Sequence, residues 1–261
     1  VMKAGFVAVP LFTAFGSDGL SSRLEDCKPV LLILDPEKPE LSSSNNVETV
    51  IADPNFLKSL LKFETTFTTS TTSADMAMYQ YTSGTSRALP EAVKHHHRAI
   101  VTVMIAALYA TGVRPGDKYM CPSSPAWGHG LWHGTLAPLA LGIEISTYAG
   151  KFDPEKLLAA IEKFEITNLS AAATHYRMMR NINNPKKYSL KLKKLSFTGE
   201  PLDTETAHWA KQTFGNDICS IYGSTEVGVI IANYPGSDDL PVKIGALGKP
   251  LPGCNVSILD R

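Results

Sequence analysis

The chain has 261 residues, with 25 Lys plus Arg against 25 Asp plus Glu, 44% hydrophobic and 19% charged residues. This composition excludes wholesale disorder, leaves ample apolar side chain for a core, and at roughly 150 residues per domain suits one large or two modest domains. Zero formal charge provides no global field for nucleic acid or an anionic membrane, so an anionic ligand has to be caught locally. The four cysteines, Cys27, Cys121, Cys219 and Cys254, form no CxxC pair, which points to reduced thiols and a cytoplasmic setting. The longest apolar stretch, residues 100–110, includes Thr102 and is too short to cross a bilayer, and no secretory pattern is visible. The chain opens on Val1 and reads at once like the middle of a fold, so a piece of a longer protein is expected.

In chain order, the apolar run at residues 4–10 predicts a buried strand ended by Pro10, followed by a helix over 20–27 and strands at 29–34 and 47–51. The Thr- and Ser-rich run at 65–73 reads as a surface linker. Beyond it, strands are expected at 78–81, 118–122, 143–148, 166–171, 195–198 and 218–222. Helices are expected at about 97–111, 131–141, 153–164, 175–180 and 204–214, with Asp153-Pro154 as a capped start. The alternation predicts an α/β fold, mostly parallel sheets flanked by helices, with a small β unit near the C-terminal end. The boundaries drawn are 1–75 for a first α/β portion, 76–235 for a second portion carrying the sites, and 236–261 for the start of the β subdomain.

Three loops carry chemistry. Tyr81-Thr82-Ser83-Gly84-Thr85-Ser86 follows an apolar strand, and its hydroxyls and flexible amides can cradle phosphate without net protein charge, although its spacing is not that of a Walker loop. Phe197-Thr198-Gly199-Glu200-Pro201 and Tyr222-Gly223-Ser224-Thr225-Glu226 each end a later strand, the place where open α/β sheets bind ligands. A tyrosine face suits a base, a threonine hydroxyl suits a phosphate, and a glutamate is a hard oxygen ligand for Mg²⁺.

These loops, with Gly245-Ala246-Leu247-Gly248-Lys249-Pro250-Leu251-Pro252-Gly253, resemble the ordered signatures of the adenylate-forming superfamily, which includes acyl-CoA synthetases, firefly luciferase and adenylation domains of peptide synthetases. Ser124-Pro125-Ala126-Trp127-Gly128-His129-Gly130 and Lys151-Phe152-Asp153-Pro154 are most similar to the acetyl and medium-chain acyl-CoA synthetase branch. The resemblance implies an ATP-dependent ligase that joins a small or medium carboxylic acid to coenzyme A through an acyl-adenylate. It would place Thr82, Ser83, Gly84, Thr85, Ser86 and Arg87 around the phosphates, Gly199, Glu200 and Pro201 beside adenine, and Tyr222 against its face. Gly223 and Ser224 would line both nucleotide and acyl sites, Trp127 and Gly130 the acyl pocket, Thr225 the α-phosphate and Glu226 the Mg²⁺, with Thr85, Thr225 and Glu226 as the catalytic set. ATP, Mg²⁺ and coenzyme A are the implied cofactors, and a homodimer is left open.

Two departures bear on that reading. Arg87-Ala88-Leu89-Pro90-Glu91 stands where the family usually has Gly-x-Pro-Lys, placing a carboxylate where a triphosphate would be repelled if it pointed inward, and Arg87 is the first candidate for the replacement charge. The chain also stops before the family's ribose-binding aspartate and C-terminal catalytic domain, so an isolated chain of this length is expected not to complete thioester formation. The alternatives are a nucleotide-binding relative without catalysis and an adenylation domain that loads a carrier protein. Adjacent His95, His96 and His97 alternate faces on a strand and cannot converge on one ion, while His129 and His133 read as pocket or core residues.

Overall fold

The computed structural model describes residues 1–43, 46–66, 68–82 and 91–260, and the chain divides into two compact units, Val1–His97 and Arg98–Arg261. The first unit holds α1 (Ser17–Cys27), β1 (Leu32–Leu34), β2 (Thr49–Ile51), α2 (Pro54–Leu60), β3 (Met76–Tyr81) and β4 (Ala92–His96). Strands β1 and β2 pair in parallel. Leu20 and Leu24, four apart on one face of α1, bury against Leu32 and Leu34, which alternate inward along β1. Asp53 caps α2 by accepting from the Phe56 amide at 2.7 Å, and Pro54 supplies the fixed φ of the first helical turn. Strands β3 and β4 form an antiparallel pair.

The second unit is built on a seven-stranded sheet. It contains α3 (Ala99–Ala106), β5 (Lys118–Cys121), α4 (Ala137–Ala140), β6 (Glu144–Thr147), α5 (Pro154–Lys163), β7 (Asn168–Ala172), α6 (Ala173–Arg180), β8 (Lys194–Thr198), α7 (Thr204–Phe214), β9 (Ile218–Ser224), β10 (Gly228–Ala232) and β11 (Lys249–Pro250). The strand order is β11-β10-β9-β8-β7-β5-β6, parallel from β6 to β9 and antiparallel from β9 to β11. Both faces are covered. Leu157, Leu158 and Ile161 of α5, Tyr176 and Met179 of α6, and Ala207, Ala210 and Phe214 of α7 pack with Leu169, Leu195 and Ile218. On the other face Ala106 and Ala110 pack with Ile221, Val229 and Ala232. Ile218 and Ile221 fall in different clusters because their odd separation turns them to opposite faces. The helix begun by α3 continues in wider π-type turns over Ala107–Thr111, and a second π-type stretch, His129–Leu136, precedes α4.

The parallel α/β sheet with flanking helices agrees with the sequence expectation, and three local features differ from it. Residues 4–10 do not form a strand: a 3₁₀ turn spans Met2–Ala4, and one bridge joins Ala8 to Met78, because Pro10 has no amide with which to extend a ladder. Strand β4 was not expected, since Lys94, His95 and His96 give it no apolar alternation. Strand β10, also unexpected, opens on Gly228 immediately after the tight turn from β9. The pair β3–β4 lies in the first unit, and β11 pairs with β10 at the edge of the large sheet.

Candidate nucleotide and acyl site

The carboxyl ends of β8 and β9 lie side by side. Their parallel register pairs Phe197 with Ser220, and the Thr198 hydroxyl donates to the Ile221 carbonyl at 3.0 Å. The loop that begins at Gly199 and the last residues of β9, from Tyr222, therefore emerge from neighbouring strands on the same edge. Gly199 has φ of +97° and is solvent-exposed. The Tyr222 ring is 47% exposed, an unusual fraction for a large aromatic at the end of a buried strand.

Trp127 reaches this edge from the loop after β5. A Cβ placed on Gly199 would lie 3.0 Å from the Trp127 indole, so the ring edge rests on the glycine backbone. Other glycines are fixed by the backbone itself. A Cβ on Gly130 would sit 2.2 Å from the Ser124 carbonyl oxygen, and one on Gly223 would sit 1.9 Å from that of Gly228. Both identities thus have steric grounds, Gly130 in the π-type stretch and Gly223 where β9 meets β10, independent of any ligand.

The loop after β8 is held from α6. Arg177 donates through its three nitrogens to Glu200 Oε1 at 2.7 Å, the Pro201 carbonyl at 2.6 Å and Asp203 Oδ2 at 3.2 Å. Asp203 also caps α7 through the Thr206 amide at 2.8 Å and receives Arg180 at 3.0 Å. Partial desolvation works against its ionised form, but the Thr206 amide and hydroxyl and the Arg177 guanidinium outweigh it and hold the carboxyl down to about 2. Helix α6 is itself anchored, because the buried Tyr176 hydroxyl donates to the Leu169 and Ser196 carbonyls at 3.2 and 3.0 Å. Sequence reading missed Arg177 and Arg180; their i, i+3 spacing on a helix beside an acidic cap was the available signal.

Under Trp127 runs a buried chain of polar groups. His129 Nδ1 lies 3.0 Å from Ser123 Oγ, its Nε2 lies 2.8 Å from Ser170 Oγ, and Ser196 donates to Ser170 at 2.8 Å. The Trp127 and His129 rings meet edge to face at 5.5 Å. Burial holds the His129 pKa down to about 3, with His133 and His175 adding to the effect, and lowers His133 to about 4. The His129 ring is therefore neutral, and its one donor and one acceptor both face serine hydroxyls. Burial pushes the Cys121 and Cys219 thiols up to about 11 and 12, which leaves them protonated and poor nucleophiles at neutral pH.

In the first unit, Tyr81 ends β3, and its hydroxyl donates to Asp26 Oδ2 at 2.5 Å, tying the start of the Ser/Thr/Gly loop to α1. Thr82 follows, half-buried, whereas Ser83, Gly84, Thr85, Ser86 and Arg87 lie outside the described residues; Glu91 is exposed. His96, half-buried, places Nδ1 2.7 Å from the Ala74 carbonyl.

The second unit thus groups Trp127, Gly199, Glu200, Pro201 and Tyr222 at one sheet edge, with Gly223, Ser224, half-buried Thr225 and exposed Glu226 continuing from β9 into the turn before β10. Tyr222, about half exposed, is an aromatic of the kind a base can stack on. Among the described residues no group of three or more His, Cys, Asp or Glu side chains is arranged to hold a metal ion. The exposed Glu226 carboxylate is a hard oxygen donor of the kind that shares Mg²⁺ with substrate phosphates in other proteins. No helix among the described residues is long and apolar enough to cross a membrane.

Comparison with known proteins shows the chain's family. The chain is 28% identical to the acetyl-coenzyme A synthetase of Bacillus subtilis over 100% of its own length and 48% of that protein's. It is 31% identical to the mitochondrial acyl-coenzyme A synthetase ACSM3 of Rattus norvegicus over 71% of this chain and 32% of that one. The crystal structure of a Brucella canis acyl-CoA synthetase superposes with a TM-score of 0.89 at 27% identity, covering 99% of this chain and 50% of that chain. The chain thus spans about half the length of the full-length curated relatives it matches. The family model described as AMP-binding enzyme matches residues 1–261, and the chain belongs to the AMP-binding enzyme family.

Proposed function

We propose that the chain serves an AMP-forming acyl-CoA synthetase. A carboxylate attacks the α-phosphorus of ATP, giving an acyl-adenylate and pyrophosphate, and the thiol of coenzyme A then displaces AMP to form the thioester. The observation that carries this reading is the exposed Tyr222 ring beside the Gly199 loop, with Trp127 resting on Gly199. In this assignment Tyr222 stacks on adenine while Gly199, Glu200 and Pro201 border its edge. Thr225 donates to the α-phosphate and Glu226 holds Mg²⁺, which offsets phosphate charge when bound. Thr82, Ser83, Gly84, Thr85, Ser86 and Arg87 are assigned to the phosphates from the sequence resemblance, and phosphoryl chemistry asks of such residues mainly positioning and charge compensation. Gly223 and Ser224 lie between nucleotide and acid, and Trp127 and Gly130 bound the acid's tail.

A small or medium acid is favoured because Trp127 presents a bulky ring at that boundary, and relatives named for acetate and 4-hydroxybutyrate support it. Residues 1–261 alone are proposed to bind nucleotide without completing the thioester, given relatives about twice as long. Calorimetry with ATP·Mg²⁺, pyrophosphate release with a panel of acids, and comparison of coenzyme A with a carrier-protein thiol test the assignment. No nucleotide binding refutes it. Binding without pyrophosphate release from a full-length protein favours the non-catalytic relative, transfer only to a carrier favours the adenylation domain, and robust thioester formation by residues 1–261 refutes the restriction.

A further inference from the structure

We propose that Arg177 is a positioning residue that clamps the adenine-side loop, an inference that deepens the reading above and rests on it only for the loop's ligand. The Gly199–Asp203 segment is fixed at its far end, where Leu202 packs on the core and Asp203 caps α7. Gly199 and Glu200 are exposed, and the positive φ of Gly199 is a conformation glycine enters and leaves at small cost. Arg177 supplies the missing constraint by joining the Glu200 carboxylate, the Pro201 carbonyl and the Asp203 carboxylate with one planar guanidinium. The joint is rigid at its base, because Tyr176, the preceding residue of α6, is fully buried and bonded to both β7 and β8. Arg177 also pairs with Glu200, so its positive charge offsets a carboxylate that would otherwise repel a polyphosphate near the same edge.

Arg180, one turn further along α6, is the internal control. It joins Asp203, Glu205 and Thr206 at the start of α7. Arg177→Lys keeps the charge but cannot span three acceptors in a fork. The first readout is hydrogen exchange of the 199–203 segment. We expect roughly tenfold faster exchange there in Arg177→Lys with β8 and the body of α7 unchanged, and no such change at 199–200 in Arg180→Lys. The second is ATP–pyrophosphate exchange, where Arg177→Lys should raise KM for ATP about tenfold while leaving kcat and KM for the acid within twofold. Should Arg177→Lys fail to fold, Asp203→Asn, which weakens one of the three bonds and keeps a side-chain oxygen for the α7 cap, should give a smaller rise in exchange of the 199–203 segment.

Unchanged loop exchange in Arg177→Lys, or equal effects from Arg180→Lys, overturns the clamp. A rise in both KM values with a parallel fall in kcat does so as well. A wild-type protein that exchanges no pyrophosphate with any acid refutes the functional reading instead, and hydrogen exchange still decides the clamp.

Discussion

Lowering the pH from 7 to 5 should destabilise the second unit through two imidazoles. His129 and His133 are 6% and 5% exposed, with pKa values held down to about 3 and about 4. A histidine with a folded pKa below its unfolded value of about 6.5 takes up its proton only on unfolding. Its contribution is complete above the unfolded value and is lost as pH falls toward the folded one. Between pH 7 and 5 each ring goes from mostly neutral to charged in the unfolded chain while staying neutral in the fold, a loss of about 2 kcal/mol per residue and about 4 kcal/mol for the pair. At an m-value of about 3 kcal/mol/M the urea midpoint should fall by more than 1 M. Trp127, Trp132 and Trp209 all belong to the second unit, so tryptophan fluorescence follows this unit selectively. The contribution of carboxylates such as Asp203, held down to about 2, is present throughout this range and is lost only as the pH falls below about 4. A midpoint unchanged between pH 7 and 5, or an NMR titration of either ring near 6.5, refutes the reasoning.

Gly130→Ala and Gly223→Ala should each cost roughly 3 kcal/mol or more, because backbone oxygens occupy the space of the new methyl group. Gly142→Ala has φ of +71° but nothing within 4 Å and should cost about 1 kcal/mol; equal losses of Tm at the three positions would contradict the steric account. Asp153→Ala removes the acceptor for the Glu155 and Lys156 amides and should lower stability by about 1 kcal/mol in urea titrations. Under the proposed function, Trp127→Gly should shift kcat/KM toward longer or aromatic acids about tenfold or more, and an unchanged acid profile would remove Trp127 from the pocket.

Much of this fold is written in local pattern. Asp153-Pro154 announces α5 because cap and ring act within one turn, and the uniformly buried β7, Asn-Leu-Ser-Ala-Ala, reads as an interior parallel strand. β4 escapes such reading because a half-buried strand of Lys and His has no hydrophobic period; its partner, β3, supplies the order. The site divides similarly. Gly199 and Tyr222 are visible as strand-end loop residues, but the guanidinium that ties Glu200 to Pro201 comes from another helix, more than twenty residues away. His129 could be read only as pocket or core, since Ser170, one of its two serine partners, comes from β7, far along the chain.

The near-contact between Gly223 and Gly228 has a consequence for how such a protein could diversify. With no room for even a methyl group where the two chains cross, position 223 is closed to mutation as a source of new selectivity. Exposed Ser224 and Val227 carry no such obstruction in the fold. Natural or laboratory evolution would therefore retune this corner through its neighbours, leaving the crossing as a fixed pivot around which side chains are exchanged.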